Sequence, residues 1–499
     1  MTSSTHPMPP PPAAPLGRIA AAGALALLLA GCAVGPDYER PAMAVPASFK
    51  QMQGWVPAQP VQALADGRWW TRYGDPVLDA LVADVDVSNQ NLAQAEARYR
   101  QALALIAGSR AGFFPTVGAD ASATRSGGGN GNTGGGSGFG GSSADNRYNA
   151  SVSVSWMPDL WGRVRREVEA SRADAQASAA DLAAARLSAQ SALAQAYFRV
   201  RVLDRQQALL EQTLEAYQRS LDLTRNQYEA GLVSRSDVVL ADTQLAQVRV
   251  QLRDLDWQRA QQENAIAVLS GRAPADFSLA ATREVPRLPA VPEAVPSVIL
   301  QRRPDVAAAE RTVAGANARI GVAQTAWFPD LTLSASGGYQ SGSFANWISA
   351  PFRYWSIGPA LAATLFDGGA RSAEIERAMA AYDEQVANYR QTVLTAFQET
   401  EDALAMLRVL ESEIEAQRQV TALAEENETL VTNRYRAGMI SFLEVAVAQN
   451  TTLSARRSLL DLEGSRLDAS VQLMAALGGG WDGELEPQAA LPARENPQP

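Results

Sequence analysis

Asn226-Gln227-Tyr228-Glu229-Ala230-Gly231-Leu232-Val233-Ser234 recurs 207 residues later as Asn433-Arg434-Tyr435-Arg436-Ala437-Gly438-Met439-Ile440-Ser441. A second pair, Gly112-Phe113-Phe114-Pro115-Thr116-Val117 and Ala326-Trp327-Phe328-Pro329-Asp330-Leu331, is offset by 214. Two matches at nearly one spacing read as an internal duplication, about 200 residues per unit.

Proline and glycine show what surrounds the repeated segment. The chain has 27 Pro, yet none lies between Asp159 and Ala273 or between Ala360 and Glu486. Gly231 is the sole Gly between Arg163 and Ser270. A helix-interior Pro costs about 3 kcal/mol, so such stretches permit long helices. The spacing predicts helices over 165–229 and 236–271 turning at Gly231, and over 370–436 and 442–477 turning at Gly438. Shorter helices fit 75–111 and 296–325. The second of these opens at Pro296-Ser297, with Pro304 early in it or at a kink. The long helices reach roughly 100 Å and the helices at 75–111 and 236–271 roughly 55 Å at ~1.5 Å per residue. Two short helices end to end therefore match one long one, which predicts a tall helical wall. Leu203, Leu210, Leu214, Tyr217, Leu221 and Tyr228 keep three- and four-residue steps, a coiled-coil period with Gln207 and Thr224 filling the gaps.

Between the helices the period changes to two. Ser151-Val152-Ser153-Val154-Ser155-Trp156 and Leu331-Thr332-Leu333-Ser334-Ala335-Ser336 alternate strictly. Segments 116–122 and 355–362 do so more weakly, and Pro359 is awkward for a paired strand. Aromatic residues flank both pairs: Phe113, Phe114, Trp156 and Trp161, then Trp327, Phe328, Trp347, Trp355 and Phe366. Strands of about ten residues with aromatic ends suit an outer membrane. The loop from Ser126 to Arg147 holds ten Gly and reads as the outward tip of a hairpin. Four strands cannot close a membrane barrel, which takes about eight at least, and lipid tolerates no open edge. The chain must then oligomerise, and three copies give twelve strands. The expected fold is an α+β membrane protein: a long helical barrel plus four strands per protomer in a trimeric β-barrel.

Composition removes whole classes of chemistry. The 499 residues hold one His, His6, and one Cys, Cys32. Both fall in a leader, so Ser-His-Asp and Cys-His catalysis, zinc sites with such ligands, haem and iron–sulfur centres are excluded. No paired acids sit in a cleft-like pattern, so neither an enzyme nor a cofactor or metal site is expected. A net charge of −10 argues against nucleic acid as partner. Arg18, the apolar run from Ile19 and small residues before Cys32 describe a signal peptide over 1–31. Leu29-Ala30-Gly31-Cys32 resembles a bacterial lipobox, which implies cleavage before Cys32 and its acylation. Ala33, rather than Asp, implies sorting to the outer membrane. The expected organisation is a lipidated segment 32–74, a first repeat 75–285 (hairpin near 115–157), a second repeat 286–478 (hairpin near 330–366) and a tail 479–499.

Cys32-Ala33-Val34-Gly35-Pro36-Asp37-Tyr38-Glu39-Arg40-Pro41, Trp69-Trp70, Arg302-Arg303-Pro304-Asp305 and the paired Tyr-x-x-Gly turns together resemble the TolC-like outer-membrane factors, in particular the NodT-type efflux lipoproteins. The resemblance spans nearly all of the chain after Cys32. It implies a homotrimer with a twelve-stranded barrel in the outer-membrane lipid and a helical barrel across the periplasm. It also implies a passive exit duct for small molecules, an inner-membrane pump of the resistance–nodulation–division type and a periplasmic adaptor protein. In this family the two helix turns form a periplasmic gate. Tyr435 matches the tip tyrosine, Asp237 its partner, and Glu444 the first ring carboxylate. Val447 stands at the second ring carboxylate and Ile440 at the tip arginine. Ile440, Leu443 and Val447 could therefore form an apolar constriction that gates by dewetting. A structural reading stands beside this one. Asp237 after Ser234 stabilises a helix start, Ser441 and Glu444 make a capping box, and the Arg302–Asp305 motif shapes the start of a helix. The alternatives are an exit duct for type I protein secretion, or a lipoprotein coiled coil without a pore.

Overall fold

The structure, a computed structural model, describes residues 33–46, 48–50, 67–127, 145–282, 288–289 and 302–485. The expected signal peptide, Cys32, most of the glycine-rich loop and the expected helix start at Pro296 lie outside these residues.

The helices follow the Pro and Gly punctuation. They are α1 (Pro76–Ser88), α2 (Gln90–Ala111), α3 (Arg163–Glu229), α4 (Arg235–Leu269), α5 (Pro304–Thr325), α6 (Ala370–Arg436) and α7 (Phe442–Ala476). The long helices α3 and α6 have 67 residues each, and α4 and α7 have 35 each, so the duplication extends to helix length. One expectation is corrected: 75–111 is two helices. Asn89 breaks it with an extended backbone. Its Oδ1 accepts from the Asn91 and Leu92 amides, which caps α2, and its Nδ2 donates to the Leu269 carbonyl at 2.8 Å. Pro304 is the first residue of α5, where a missing N–H costs no helix bond.

The chain divides into two compact units, Met1–Glu39 with Leu103–Ala173 and Val313–Glu384, and Arg40–Ala102 with Asp174–Thr312 and Gln385–Pro499. Each takes segments from both repeats.

The first unit holds a four-stranded antiparallel sheet in chain order, β1 (Thr116–Ser126), β2 (Asp145–Trp156), β3 (Asp330–Ser341) and β4 (Arg353–Ala362). Register separates the side chains into two faces. Val117 stands opposite Val154, Val154 opposite Ala335, and Ala335 opposite Ile357. By alternation Val152, Trp156, Leu331, Leu333, Trp355 and Leu361 share that face. The other face carries Thr116, Asp120, Ser122, Ser151, Ser153, Ser155, Ser334, Ser336 and Ser356. On it Asn149 bridges the strands, accepting from the Tyr354 hydroxyl at 3.1 Å. Apolar residues remain open to solvent in the single chain, with Ile357 73% and Trp355 76% exposed. Pro359 stands opposite Leu333. Pro359 has no N–H to give to the ladder, and β4 is an edge strand of the sheet, where Pro is tolerated.

In the same unit the segment after Cys32 is held by buried polar groups. Val34 donates to the Trp161 carbonyl at 3.1 Å. Arg166 donates to the carbonyls of Val34 and Gly35 and to Asp37, at 3.0–3.1 Å. Asn317 donates to the Pro36 carbonyl at 3.0 Å. Trp161 stacks on Phe328, ring centroids 4.8 Å apart, and its indole N–H donates to the Pro329 carbonyl.

The second unit contains two apolar clusters. One joins Trp69, Tyr73, Leu78, Val82, Leu193, Phe198, Ile266 and Val471. Beside it Arg303 donates to Asp305, Glu399 and the Ala476 carbonyl, tying the start of α5 to the last turn of α7. This is the helix-start role expected of the Arg302–Asp305 motif. Buried Asp204 accepts from Arg201, Arg259 and the Thr282 amide, which fastens the segment after α4. The other cluster joins Leu203, Leu210, Tyr217, Leu221, Leu245, Val248, Tyr435, Phe442 and Val445, and runs along α3 and α4 to the second helix turn. Tyr228, in the same coiled-coil series as Leu221, is instead 44% exposed.

Candidate functional site: paired helix turns and an amphipathic sheet

The repeated sequence builds the same backbone twice. Gly231 and Gly438 both have φ +75°, a left-handed conformation that side chains resist. The Gly231 amide donates to the Tyr228 carbonyl and the Leu232 amide to that of Gln227. At the second turn Gly438 bonds Tyr435 and Met439 bonds Arg434 in the same way. These are paired Schellman stops, each followed by an extended Ser that starts the next helix.

The side chains diverge. At the first turn Ser234 and Asp237 form a full capping box: the Ser234 amide donates to the Asp237 carboxylate at 3.0 Å, and the Asp237 amide donates to Ser234 Oγ at 3.4 Å. The Ser234 hydroxyl also donates to that carboxylate, at 2.6 Å. At the second turn Ser441 makes no side-chain cap bond, so the capping box expected with Glu444 is absent. That turn is anchored by packing. Tyr435 and Phe442 are 3% and 1% exposed and meet edge-to-face with centroids 5.6 Å apart.

The site residues read from sequence separate accordingly. Tyr435 does not hydrogen-bond Asp237, whose carboxylate is held by Ser234; the Tyr435 hydroxyl lies 3.2 Å from Thr224 Oγ1. Burial pushes the Tyr435 hydroxyl above its usual range, the Thr224 bond opposes this, and the nearby Asp237 charge adds to it. The hydroxyl therefore stays protonated and able to donate. Ile440 is half-buried against the cluster, whereas Leu443, Glu444 and Val447 are exposed on the first turns of α7. Leu443 and Val447, four residues apart, lie on one helix face. Thr224 escaped the sequence reading as a site residue. Its signal was a small polar residue at a core position of the coiled-coil series. Among the described residues no group of three or more His, Cys, Asp or Glu could hold a metal ion. No described helix is long and apolar enough to cross a membrane.

A family model described as outer membrane efflux protein matches residues 81–272 and 295–479. The chain belongs to the outer membrane efflux protein family. It is 33% identical over 472 residues to the probable efflux pump outer membrane protein TtgC of Pseudomonas putida, covering 93% of this chain and 97% of that one. It is 29% identical over 463 residues to the cation efflux system protein CusC of Escherichia coli, covering 92% and 97%. The solved structure of the outer-membrane channel OprN superposes with a TM-score of 0.81 at 30% identity, covering 90% of this chain and all of that one. As a family member the protein is an efflux channel component of the Gram-negative outer membrane, extending into the periplasm. These relatives are transport proteins, not enzymes.

Proposed function

We propose that three copies close the four-stranded sheet into a twelve-stranded barrel, with β1 of one copy pairing β4 of the next. The observation that carries this reading is a sheet with one apolar face, one polar face and two unpaired edges. Hydrocarbon requires the edges to be closed, an apolar face suits lipid, and a polar face suits a water-filled lumen. The duct is passive: small molecules leave through it, driven by an inner-membrane pump of the resistance–nodulation–division type and delivered through a periplasmic adaptor. Acylated Cys32 anchors each copy, and the segment that follows it is held by Arg166. The two repeats, 75–285 and 286–478, alternate around the ring. The turns at Gly231 and Gly438 form the periplasmic gate. Asp237 stiffens the first turn, Tyr435 seats the second, Leu443 and Val447 narrow the path with Ile440 behind them, and Glu444 attracts cations.

Light scattering of the detergent-solubilised protein tests the assembly. A particle of three chains that conducts in planar bilayers is expected, and a non-conducting monomer would overturn the proposal. Radiolabelled palmitate should enter the wild type and not Cys32→Ala.

A further inference from the structure

We infer that Thr224 is the hydrogen-bond acceptor that keeps Tyr435 seated and the second turn closed, a positioning role that rests on the gate reading above. Thr224 is fully buried on α3, and Tyr435 is 3% exposed near the end of α6. Their oxygens are 3.2 Å apart.

The direction of this bond follows from proton counting. A threonine hydroxyl has one proton, and Thr224 Oγ1 is placed to donate it to the Ser220 carbonyl at 2.9 Å. Thr224 therefore accepts and Tyr435 donates. The Asp237 carboxylate, the other candidate acceptor, makes no bond to Tyr435; its Oδ2 accepts from the Ser234 amide and hydroxyl. The two partners then have unequal roles. Removing the donor leaves Thr224 bonded to Ser220 and strands nothing. Removing the acceptor leaves a buried tyrosine O–H with no partner, the costlier defect.

That inequality can be read in the closed-state conductance of the full-length protein in planar bilayers. Thr224→Val should raise the open population by about tenfold, the order expected for an orphaned buried hydroxyl. Tyr435→Phe should raise it by about threefold or less, since no group is left unpaired. The double variant Thr224→Val/Tyr435→Phe should fall back to the level of Tyr435→Phe, and Thr224→Ser should match the wild type. Loss of packing alone would give no such rescue. A double variant as leaky as Thr224→Val, or Thr224→Val at the wild-type level, overturns the assignment. Phe442→Ala separates the two layers of inference. If it raises conductance while Thr224→Val does not, the gate stands and Thr224 is not its latch. If neither does, the turns are not the constriction, and both readings fall.

Discussion

The two helix turns share a backbone and differ in what secures it. The first is secured locally: Ser234 and Asp237 satisfy each other's amides, and Tyr228, its tyrosine, is 44% exposed. The second is secured at a distance: Ser441 leaves its cap unmade, while Tyr435 and Phe442 are buried in a cluster contributed by α3, α4, α6 and α7. Duplication preserved the chain path and let the means of holding it diverge. Arg235 and Phe442 stand at equivalent positions, as do Thr224 and Val431, and Asp237 and Glu444, and the contrast lies in these three exchanges. A turn held by its own residues stays formed when its neighbours move. A turn held by packing is released when the packing opens, so in the proposed gate the second turn is the half expected to move.

The largest test of this contrast removes the packing. Phe442→Ala should destabilise the second turn by about 3–5 kcal/mol, the usual range for a buried Phe truncated to Ala. Arg235→Ala, its exposed counterpart, should stay within about 0.5 kcal/mol. Hydrogen exchange of the amides after Gly438 and after Gly231 reports each turn separately. Equal effects at the two positions would abolish the distinction drawn between them.

A smaller test removes the caps. Ser234→Ala should cost the first turn about 1 kcal/mol, seen as roughly fivefold faster exchange at the start of α4. Ser441→Ala should alter exchange at the start of α7 by less than about twofold, as expected where no cap bond is lost. A comparable loss at Ser441 would mean that the second turn relies on its serine after all.

The same contrast marks the limits of the sequence. Helix bounds were legible because Pro and Gly are scarce: α3 was expected over 165–229 and spans Arg163–Glu229. The Asn89 break was not legible, since an Asn among helix formers carries no punctuation as strong as Pro. Strands β2 and β3 announced themselves by strict alternation. The Ala-bearing β1 and the Pro-bearing β4 become amphipathic only through their register with β2 and β3. At the turns, Ser234–Asp237 and Ser441–Glu444 look alike as capping patterns, and one makes the bonds. Thr224 read as a gap in an apolar series because its partner lies 211 residues away, and only tertiary structure brings them together.

The smallest test attempts to install the missing bond. In the proposed trimer, repetition of the contact within the chain would place Val431 against the partner subunit's Tyr228, as Thr224 lies against Tyr435. That seam then has a donor and no hydroxyl to accept from it. Val431→Thr supplies one. The gain should be at most about 0.4 kcal/mol, because the Tyr228 hydroxyl, 44% exposed in the single chain, exchanges a water bond for a protein bond. Closed-state conductance should therefore fall by about twofold at most in planar bilayers. Tyr228→Phe is the control: in that background Val431→Thr should change nothing, since the coupling between the two positions is the quantity sought. An equal fall with and without the Tyr228 hydroxyl would show that the substitution acts by repacking the half-buried Val431 site, and the seam between copies would not be the unlatched counterpart of the seam within them.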